Sequence, residues 1–272
     1  VFHKKITKIA MCIEYDGSSY YGWQRQKKVT TVQETLEKSI SKIANHSVDL
    51  FCAGRTDKGV HSTGQIVHFE TNTNRNTNAW TQGVNSNLPN SIAVLWVKKV
   101  PEEFHARFSA IARRYRYVIY NYSMRPAILN QGLVHCYYPL NIHRMQYSSK
   151  CLLGENDFSA FCGANCQSNN FNRNIIHLNI MRLGYYVIID IKANAFLYHM
   201  VRNIVGNLID IGIGKKPESW MKILLSSRNR IFGCATAKAQ GLYLVEVDYP
   251  SHFCLPKLST GPLFLQQINK ID

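Results

Sequence analysis

The residues with the clearest chemical potential lie in FCAGRTDKGVHSTGQIVHF, residues 51–69, where a single carboxylate, Asp57, stands between Arg55 and Lys58 with Gly54 and Gly59 bracketing the loop. Neighbouring cations keep a carboxylate ionised, the form in which it serves as nucleophile or base. The glycines allow the backbone to approach a flat substrate. A surface turn with an Asx-type cap has the same composition, so both readings stand on these residues alone. A second constellation is FHARFSAIARRYRYVIYN, residues 104–121, in which aromatics interleave with Arg107, Arg113, Arg114 and Arg116. On a strand this pattern offers stacking faces beside phosphate-binding charge, as single-stranded or flipped-out nucleic acid requires. A basic edge strand with core tyrosines is the alternative. The third is NAFLYHMVRNIVGNL, residues 194–208. On a helical wheel Ala195, Arg202 and Gly206 fall together, away from the apolar stripe, so Arg202 projects over a face of low bulk. Such a face admits close approach of another segment or a ligand, and an exposed surface arginine fits it equally.

Other chemistries lack their motifs. The chain has no GxxxxGK[ST] phosphate loop, no GxGxxG after a strand, no HExxH and no paired CxxC. Cys162 and Cys166 have the spacing of half a metal site, but no second Cys/His pair accompanies them, so they are expected to be structural. The 17 acidic residues are scattered singly, against 32 Lys plus Arg, for a net charge of +15. That excess, spread along the chain, implies a polyanionic partner such as nucleic acid, or else a merely basic solvated surface. Apolar residues make up 46% and charged residues 18%, the composition of a globular protein. No apolar run approaches the ~18 residues of a membrane span. No export signal is evident, and the eight cysteines form no framework, so reduced thiols and a cytoplasmic location are expected.

The elements that must position these residues follow from periodicity. Ile9, Met11, Ile13 and Tyr15 alternate along a strand over residues 6–15. Thr31 and Glu34 have capping-box spacing before an amphipathic helix carrying Val32, Leu36, Ile40, Ile43 and Ala44. Strands are expected over Val48–Ala53 and Gln65–Glu70, on either side of the Asp57 loop. A helix through Trp80, Val84 and Leu88 closes at Pro89. Strands follow at Ser91–Val100 and Ala110–Tyr120, then a helix at Asn141–Leu153. A hairpin of Asn174–Arg182 and Tyr185–Lys192 turns at Gly184. A helix spans Ala195–Ile211, a short one starts at Pro217, and the last strand is Leu242–Val247. Interleaved helices with hairpins favour an α+β fold over a doubly wound parallel sheet. A boundary is expected near residues 101–112, giving an N-terminal half 1–105 and a C-terminal half 106–272.

The segments YDGSSYYGWQRQ, GRTDKGVHSTGQ, FHARFSAIARRYRY, CLLGENDFSAFC, IKANAFLYHMVRNIVG, AKAQGLYLVEVDYP and GPLF resemble, in order and over essentially the whole chain, the tRNA pseudouridine synthase A family, the bacterial tRNA pseudouridine(38-40) synthases. The resemblance implies that Asp57 is the essential catalytic nucleophile, that Tyr115 lies on the target base, and that Arg202 pairs with the aspartate. Arg55 falls where the family has an arginine that helps flip the base. Phe104, His105, Arg107 and Phe108 fall on a tRNA-contacting stretch, as does Gln167 within Asn165–Asn169. The implied fold is a homodimer whose subunit has two α/β halves, similar to RNA-recognition (ferredoxin-like) modules, about a continuous antiparallel sheet with the active cleft between them. The implied activity is isomerisation of uridine at positions 38, 39 and 40 in the anticodon stem-loop, with neither metal nor cofactor. Lys58 departs from the alanine of many relatives, and the spacer at 71–78 is unusually rich in asparagine.

This chemistry suits the residues. Uridine becomes pseudouridine when an N-glycosidic bond breaks, the base turns and rejoins through carbon, with no net redox change. A carboxylate, a group to take the C5 proton and a means of holding the detached base are needed. Asp57, Tyr115 and the cations Arg55 and Arg202 supply them. Two competitors remain at this level: a non-catalytic RNA-binding module, which leaves Asp57 without a task, and a glycosidase releasing uracil, which would need a positioned water.

Overall fold

The protein is described by a computed structural model covering residues 6–164, 166 and 168–265. Its first elements are β1 (Thr7–Tyr15), α1 (Val32–Ala44), β2 (Phe51–Cys52), β3 (His61–Thr71), α2 (Thr77–Asn85) and β4 (Ile92–Val100). There follow β5 (Ala112–Asn121), β6 (Val134–Cys136), α3 (Ile142–Ser149), β7 (Gly154–Asp157), β8 (Asn172–Leu183) and β9 (Tyr186–Ala193). The last are α4 (Met200–Gly212), α5 (Trp220–Ser227) and β10 (Leu242–Asp248). The fold is α+β: β1 pairs antiparallel with β3 and β4, β2 with β3, β5 with β9 and β8 with β7 and β9, while β3 with β10 and β5 with β6 are parallel. Two compact units divide the chain: one runs through Ile111 and resumes at Tyr243, and the other is Ala112–Leu242. The expected linear division at residue 105 has no place for this return, which arises because Tyr243 and Leu244 of β10 pair in parallel with His61 and Ser62 of β3.

In the first unit, the order β1-α1-β2-β3-α2-β4 folds into a sheet ordered β4-β1-β3, with β2 on the far side of β3. This is the ferredoxin-like arrangement. The alternation of β1 decides its two faces. Ile9, Met11 and Ile13 are buried against Val32, Leu36, Ile40 and Ala44 of α1 and against Trp80 and Val84 of α2. Ala10 and Cys12, on the opposite face, belong to a second core with Phe104, Ala106 and Phe253. The strand expected over Val48–Ala53 shrinks to two residues because α1 side chains take its backbone groups. The Val48 N–H donates to Ser41 Oγ at 3.0 Å and the Leu50 N–H to Glu37 Oε1 at 3.1 Å.

The capping box expected at Thr31 and Glu34 does not form. Thr31 is the N-cap, but its buried hydroxyl has no hydrogen-bond partner, and Glu34 pairs with Lys38 instead. Backbone carbonyls satisfy the helix start: the Val32 N–H donates to Gly22 O at 3.2 Å and the Gln33 N–H to Trp23 O at 3.0 Å.

In the second unit, β5, α3, β8, β9 and α4 repeat the first five steps of the same order, and the strands lie as β5-β9-β8 with β7 beyond β8. Gly184, at φ +56°, makes the β8–β9 turn. Helix α4 begins at Met200, five residues later than its apolar stripe suggests. The Asn194 Oδ1 accepts the N–H groups of Ala195 at 2.8 Å and Asn174 at 3.0 Å, which ties that stretch to β8, and His199 is left-handed at φ 59°. Ala195 therefore lies outside the helix that carries Arg202 and Gly206.

Candidate active site

The loop carrying Asp57 leaves β2 through Ala53, a core residue, and is closed by main-chain contacts. The Gln65 side chain spans its base, accepting the Gly54 N–H at 3.3 Å and donating to Gly54 O at 2.6 Å. Past the aspartate, the Val60 N–H donates to Asp57 O at 3.1 Å, and Gly59 takes φ +78° to complete the turn. The segment between β1 and α1 is the cradle. Thr56 O accepts the Trp23 N–H at 3.0 Å, and the Thr56 hydroxyl meets the Tyr15 hydroxyl at 2.8 Å. A Cβ on Gly17 would stand 1.9 Å from Val60 O, and one on Gly22, itself at φ +86°, would stand 2.8 Å from Thr56 O. Backbone thus lies directly on backbone beneath residues 56–60. Lys58 reaches away to lie 3.8 Å from the centre of the exposed Tyr21 ring. Asp57 is half-buried and Arg55 exposed. The role of residues 17–23 as the seat of this loop has a signal in the sequence, the glycines of YDGSSYYGW, but nothing local says what they press against.

The segment 104–108 divides sharply. Phe104 is fully buried among Tyr249, Phe253 and His68, so it is a core anchor and not a surface contact. Arg107 and Phe108 are exposed, and the guanidinium of Arg107 lies 5.7 Å from the Phe108 ring. His105 accepts the N–H groups of Arg107 and Phe108 on Nδ1, at 3.1 and 3.2 Å, which bends the segment around it. Arg55 and Arg107 both act electrostatically on the Cys52 thiol, so β2 sits within reach of both cations; burial outweighs them and pushes that thiol up to about 12.

In the second unit, Tyr115 on β5 is 9% exposed and meets Phe196 edge to face, ring centres 5.1 Å apart. The arginines beside it divide. Arg114 grips the fully buried Asp190 of β9 with Nε and Nη2 at 2.7 and 2.8 Å, and Arg116, directly across the ladder from Asp190, adds Nε at 2.8 Å. Burial alone would raise the Asp190 carboxyl, but these hydrogen bonds and charges hold it below its usual value. Arg114 and Arg116 are therefore committed to Asp190 within the fold, which corrects their reading as phosphate ligands: removing both would strand a buried charge.

Arg202 lies on α4, where the low-bulk face is occupied by the chain itself. Its Nε–H donates to Ala237 O at 2.8 Å and its carbonyl accepts the Ala237 N–H at 3.1 Å. One turn on, a Cβ on Gly206 would fall 2.0 Å from Ala235 O. The Tyr117 hydroxyl donates to the next carbonyl, Lys238 O, at 2.8 Å, so β5 and α4 hold the same short stretch. Asn203 secures the rest: Oδ1 accepts from Arg230 at 3.0 Å and Thr236 at 2.6 Å, while Nδ2 donates to Phe161 O at 2.7 Å. Asn207 Oδ1 accepts the Trp220 indole at 2.9 Å and the Cys234 N–H at 3.1 Å.

Gln167 lies outside the described residues, as does Asn165. Cys162 and Cys166 are free thiols hydrogen-bonded to each other, and among the described residues no three of His, Cys, Asp and Glu are grouped to hold a metal ion. No helix among them is long and apolar enough to cross a membrane.

Comparison with known proteins agrees with the motif order. A family model described as tRNA pseudouridine synthase matches residues 11–109 and 149–250. The tRNA pseudouridine synthase A of Klebsiella pneumoniae subsp. pneumoniae is 62% identical over 260 residues, 96% of either chain. That of Cronobacter sakazakii is 61% identical over 262 residues, 96% of this chain and 97% of its own. Among solved structures, a Cbf5-Nop10-Gar1 complex overlaps 86% of this chain and 57% of that chain, at 10% identity and a TM-score of 0.36.

Proposed function

This chain belongs to the tRNA pseudouridine synthase family, isomerases of uridine in tRNA, and from that premise we propose that it acts at positions 38, 39 and 40 of the anticodon stem-loop with Asp57 as its essential nucleophile. The observation that carries this reading is the Asp57 loop itself, a carboxylate between Arg55 and Lys58 on a backbone held by main-chain contacts. A nucleophile gains most from such fixation, because orientation in advance of reaction lowers the barrier directly.

The chemistry needs no outside electron or group. The bond from C1′ to N1 breaks, the base turns, C1′ joins C5, the C5 proton leaves and N1 gains one. Asp57 attacks at the ribose or the base, and the bond it forms breaks again before the product leaves, regenerating the carboxylate; Tyr115 lies on the base or takes the C5 proton. Arg55 and Arg202 supply cationic support, and Arg107, His105, Phe108 and Gln167 contact the tRNA. The enzyme works without metal or cofactor, as a homodimer in the cytoplasm. Asp57→Asn keeps the shape and loses the charge, so tRNA binding should persist while tritium release from 5-tritiated uridine tRNA disappears; substantial release by the variant would remove Asp57 from the mechanism. Tyr115→Phe separates the two tyrosine roles: retained turnover assigns stacking, and glycosidic cleavage without tritium release assigns proton removal.

A further inference from the structure

The first unit carries a chain of rings that the catalytic constellation does not use. On the edge strand β2, Phe51 lies opposite His68 of β3 and stacks on its imidazole, ring centres 5.1 Å apart at 20°. His105 closes on both, 4.6 Å from His68 and 5.5 Å from Phe51, and Phe108 follows 4.3 Å from His105. The inner members are fixed. His68 is buried and accepts the Ala106 N–H on Nδ1 at 3.1 Å, while His105 Nδ1 takes the two N–H groups of Arg107 and Phe108. Both imidazoles are neutral near pH 7: burial, with Lys8 nearby, holds His68 down to about 3 and lowers His105. The outer members are open to solvent, Phe51 at 50% and Phe108 at 77%.

Singly exposed phenylalanines are ordinary. Here two of them flank rigid neutral rings beside Arg107, which lies over Phe108 and within electrostatic reach of β2 together with Arg55. Flat apolar rings with a phosphate-seeking guanidinium at the rim are what a nucleobase and its phosphate require. Phe51 is also six residues before Asp57, so their Cα atoms are at most about 22 Å apart, a few nucleotides' reach.

We propose that Phe51, with Phe108 and the two histidines behind it, is a stacking platform for a tRNA base other than the uridine being isomerised. This rests on the tRNA-modifying role above and adds Phe51 to its substrate contacts. Its binding is separable from the catalytic step, since the platform touches a neighbouring nucleotide and no reacting atom.

The test is tRNA affinity measured by filter binding, with KM and kcat alongside and thermal melting as the check on folding. Phe51→Leu keeps apolar volume and removes the ring, and is expected to weaken binding about tenfold, the loss falling on KM rather than kcat; Phe51→Tyr is expected to restore it. Anticodon stem-loops carrying one abasic nucleotide at a time identify the partner. At one position, loss of the base should weaken the wild type but not Phe51→Leu. Binding by Phe51→Leu within twofold of wild type, at an unchanged melting temperature, would overturn the platform, as would an abasic series in which the two proteins lose affinity in parallel. Because these readouts are binding, they remain decisive if Asp57→Asn stays active and the assignment of the nucleophile fails.

Discussion

The Asp57 loop, laid on the irregular segment between β1 and α1, and the stretch 234–237, laid on α4 beside Arg202, are both short irregular segments, yet they are held by different means. Under Asp57 the closest contacts are main chain on main chain, with Gly17 and Gly22 at distances that exclude any Cβ, and the side chains of Gln65 and Tyr15 add to them at Gly54 and Thr56. Under Arg202 the stretch 234–237 is held largely by side chains, through Asn203, Asn207, Arg230 and Thr236, beside main-chain contacts at the Arg202 carbonyl, which accepts the Ala237 N–H, and at Gly206. Main-chain seating leaves few soft rotamers between the scaffold and the Asp57 backbone. Side-chain seating tolerates sequence change elsewhere but relies on each amide finding all its partners. The difference matches what each segment does in the proposed reaction: one must fix a nucleophile, the other must keep a helix arginine and its loop together.

Breaking the main-chain seat should have the largest effect. Gly17→Ala places a methyl 1.9 Å from Val60 O, so the loop must move, and a displacement on the order of 1 Å near reacting atoms can cost about a hundredfold in rate. The expected result is a loss of kcat of that order with a lowered melting temperature. Gly154→Ala is the control for an added methyl: its φ is +82°, which strains an alanine, but nothing lies within 4 Å, so it should lose about 1 kcal/mol of stability and keep its activity. Equal kcat values for the two variants would show that the seat does not matter.

Asn203→Ala breaks the side-chain seat. It leaves Arg230, Thr236 and the Phe161 carbonyl short of a partner in a buried place, for about 3 kcal/mol of stability. Chemical denaturation should show that loss, with a smaller fall in kcat than for Gly17→Ala. A kcat loss as large as that of Gly17→Ala would make the two seats equivalent.

Buried titratable groups carry the contrast further. Asp190 in the second unit is kept charged by Arg114 and Arg116, whereas His68 in the first is kept neutral by burial, with His105 and Lys8 opposing its protonation. With the folded value about 3 and the unfolded one about 6.5, the unfolded chain binds the extra proton across that window. Stability from His68 is thus complete above the unfolded value and declines as pH falls towards the folded one. Between pH 7 and pH 5 the decline amounts to about 2 kcal/mol. His68→Gln keeps an acceptor for the Ala106 N–H and cannot be protonated, so its melting temperature should fall less steeply over that interval. Parallel curves would show that His68 is not the group responsible.

What the sequence discloses follows the range of the interaction. The alternation of β1 and the stripe of α1 are local, and both faces of that strand and the buried side of that helix come out as their periods require. The bracketed Asp57 was visible because its cations and glycines are neighbours in the chain. The cradle was not, since Gly17 answers to Val60 and Gly22 to Thr56 across a helix and a strand. Arg114 and Arg116 looked like ligands for phosphate because their partner, Asp190, stands across a ladder whose register no local pattern gives. Phe104 shared a motif with Phe108 but pointed into a core completed by Phe253, far along the chain. The low-bulk face of α4 was legible as an invitation to close approach, and only the fold shows that residues 235–237 accept it.

The smallest effects lie at the helix starts, where the same contrast can be sharpened with little disturbance. Helix α1 is capped by main chain, through Gly22 O and Trp23 O, and its N-cap Thr31 has a buried hydroxyl with no partner. Helix α3 is capped by a side chain, Asn141 Oδ1 accepting the Arg144 N–H at 3.1 Å. Removing a capping side chain costs about 1 kcal/mol when it makes its bond, so Asn141→Ala should lose about that amount. Thr31→Val preserves the shape and discards a hydroxyl whose burial without a partner opposes folding. Its melting temperature should equal or exceed that of the wild type, despite Thr31 occupying a position where threonine ordinarily stabilises. A loss of about 1 kcal/mol in Thr31→Val would mean that its hydroxyl does cap α1, and that the start of this helix relies on a side chain as that of α3 does.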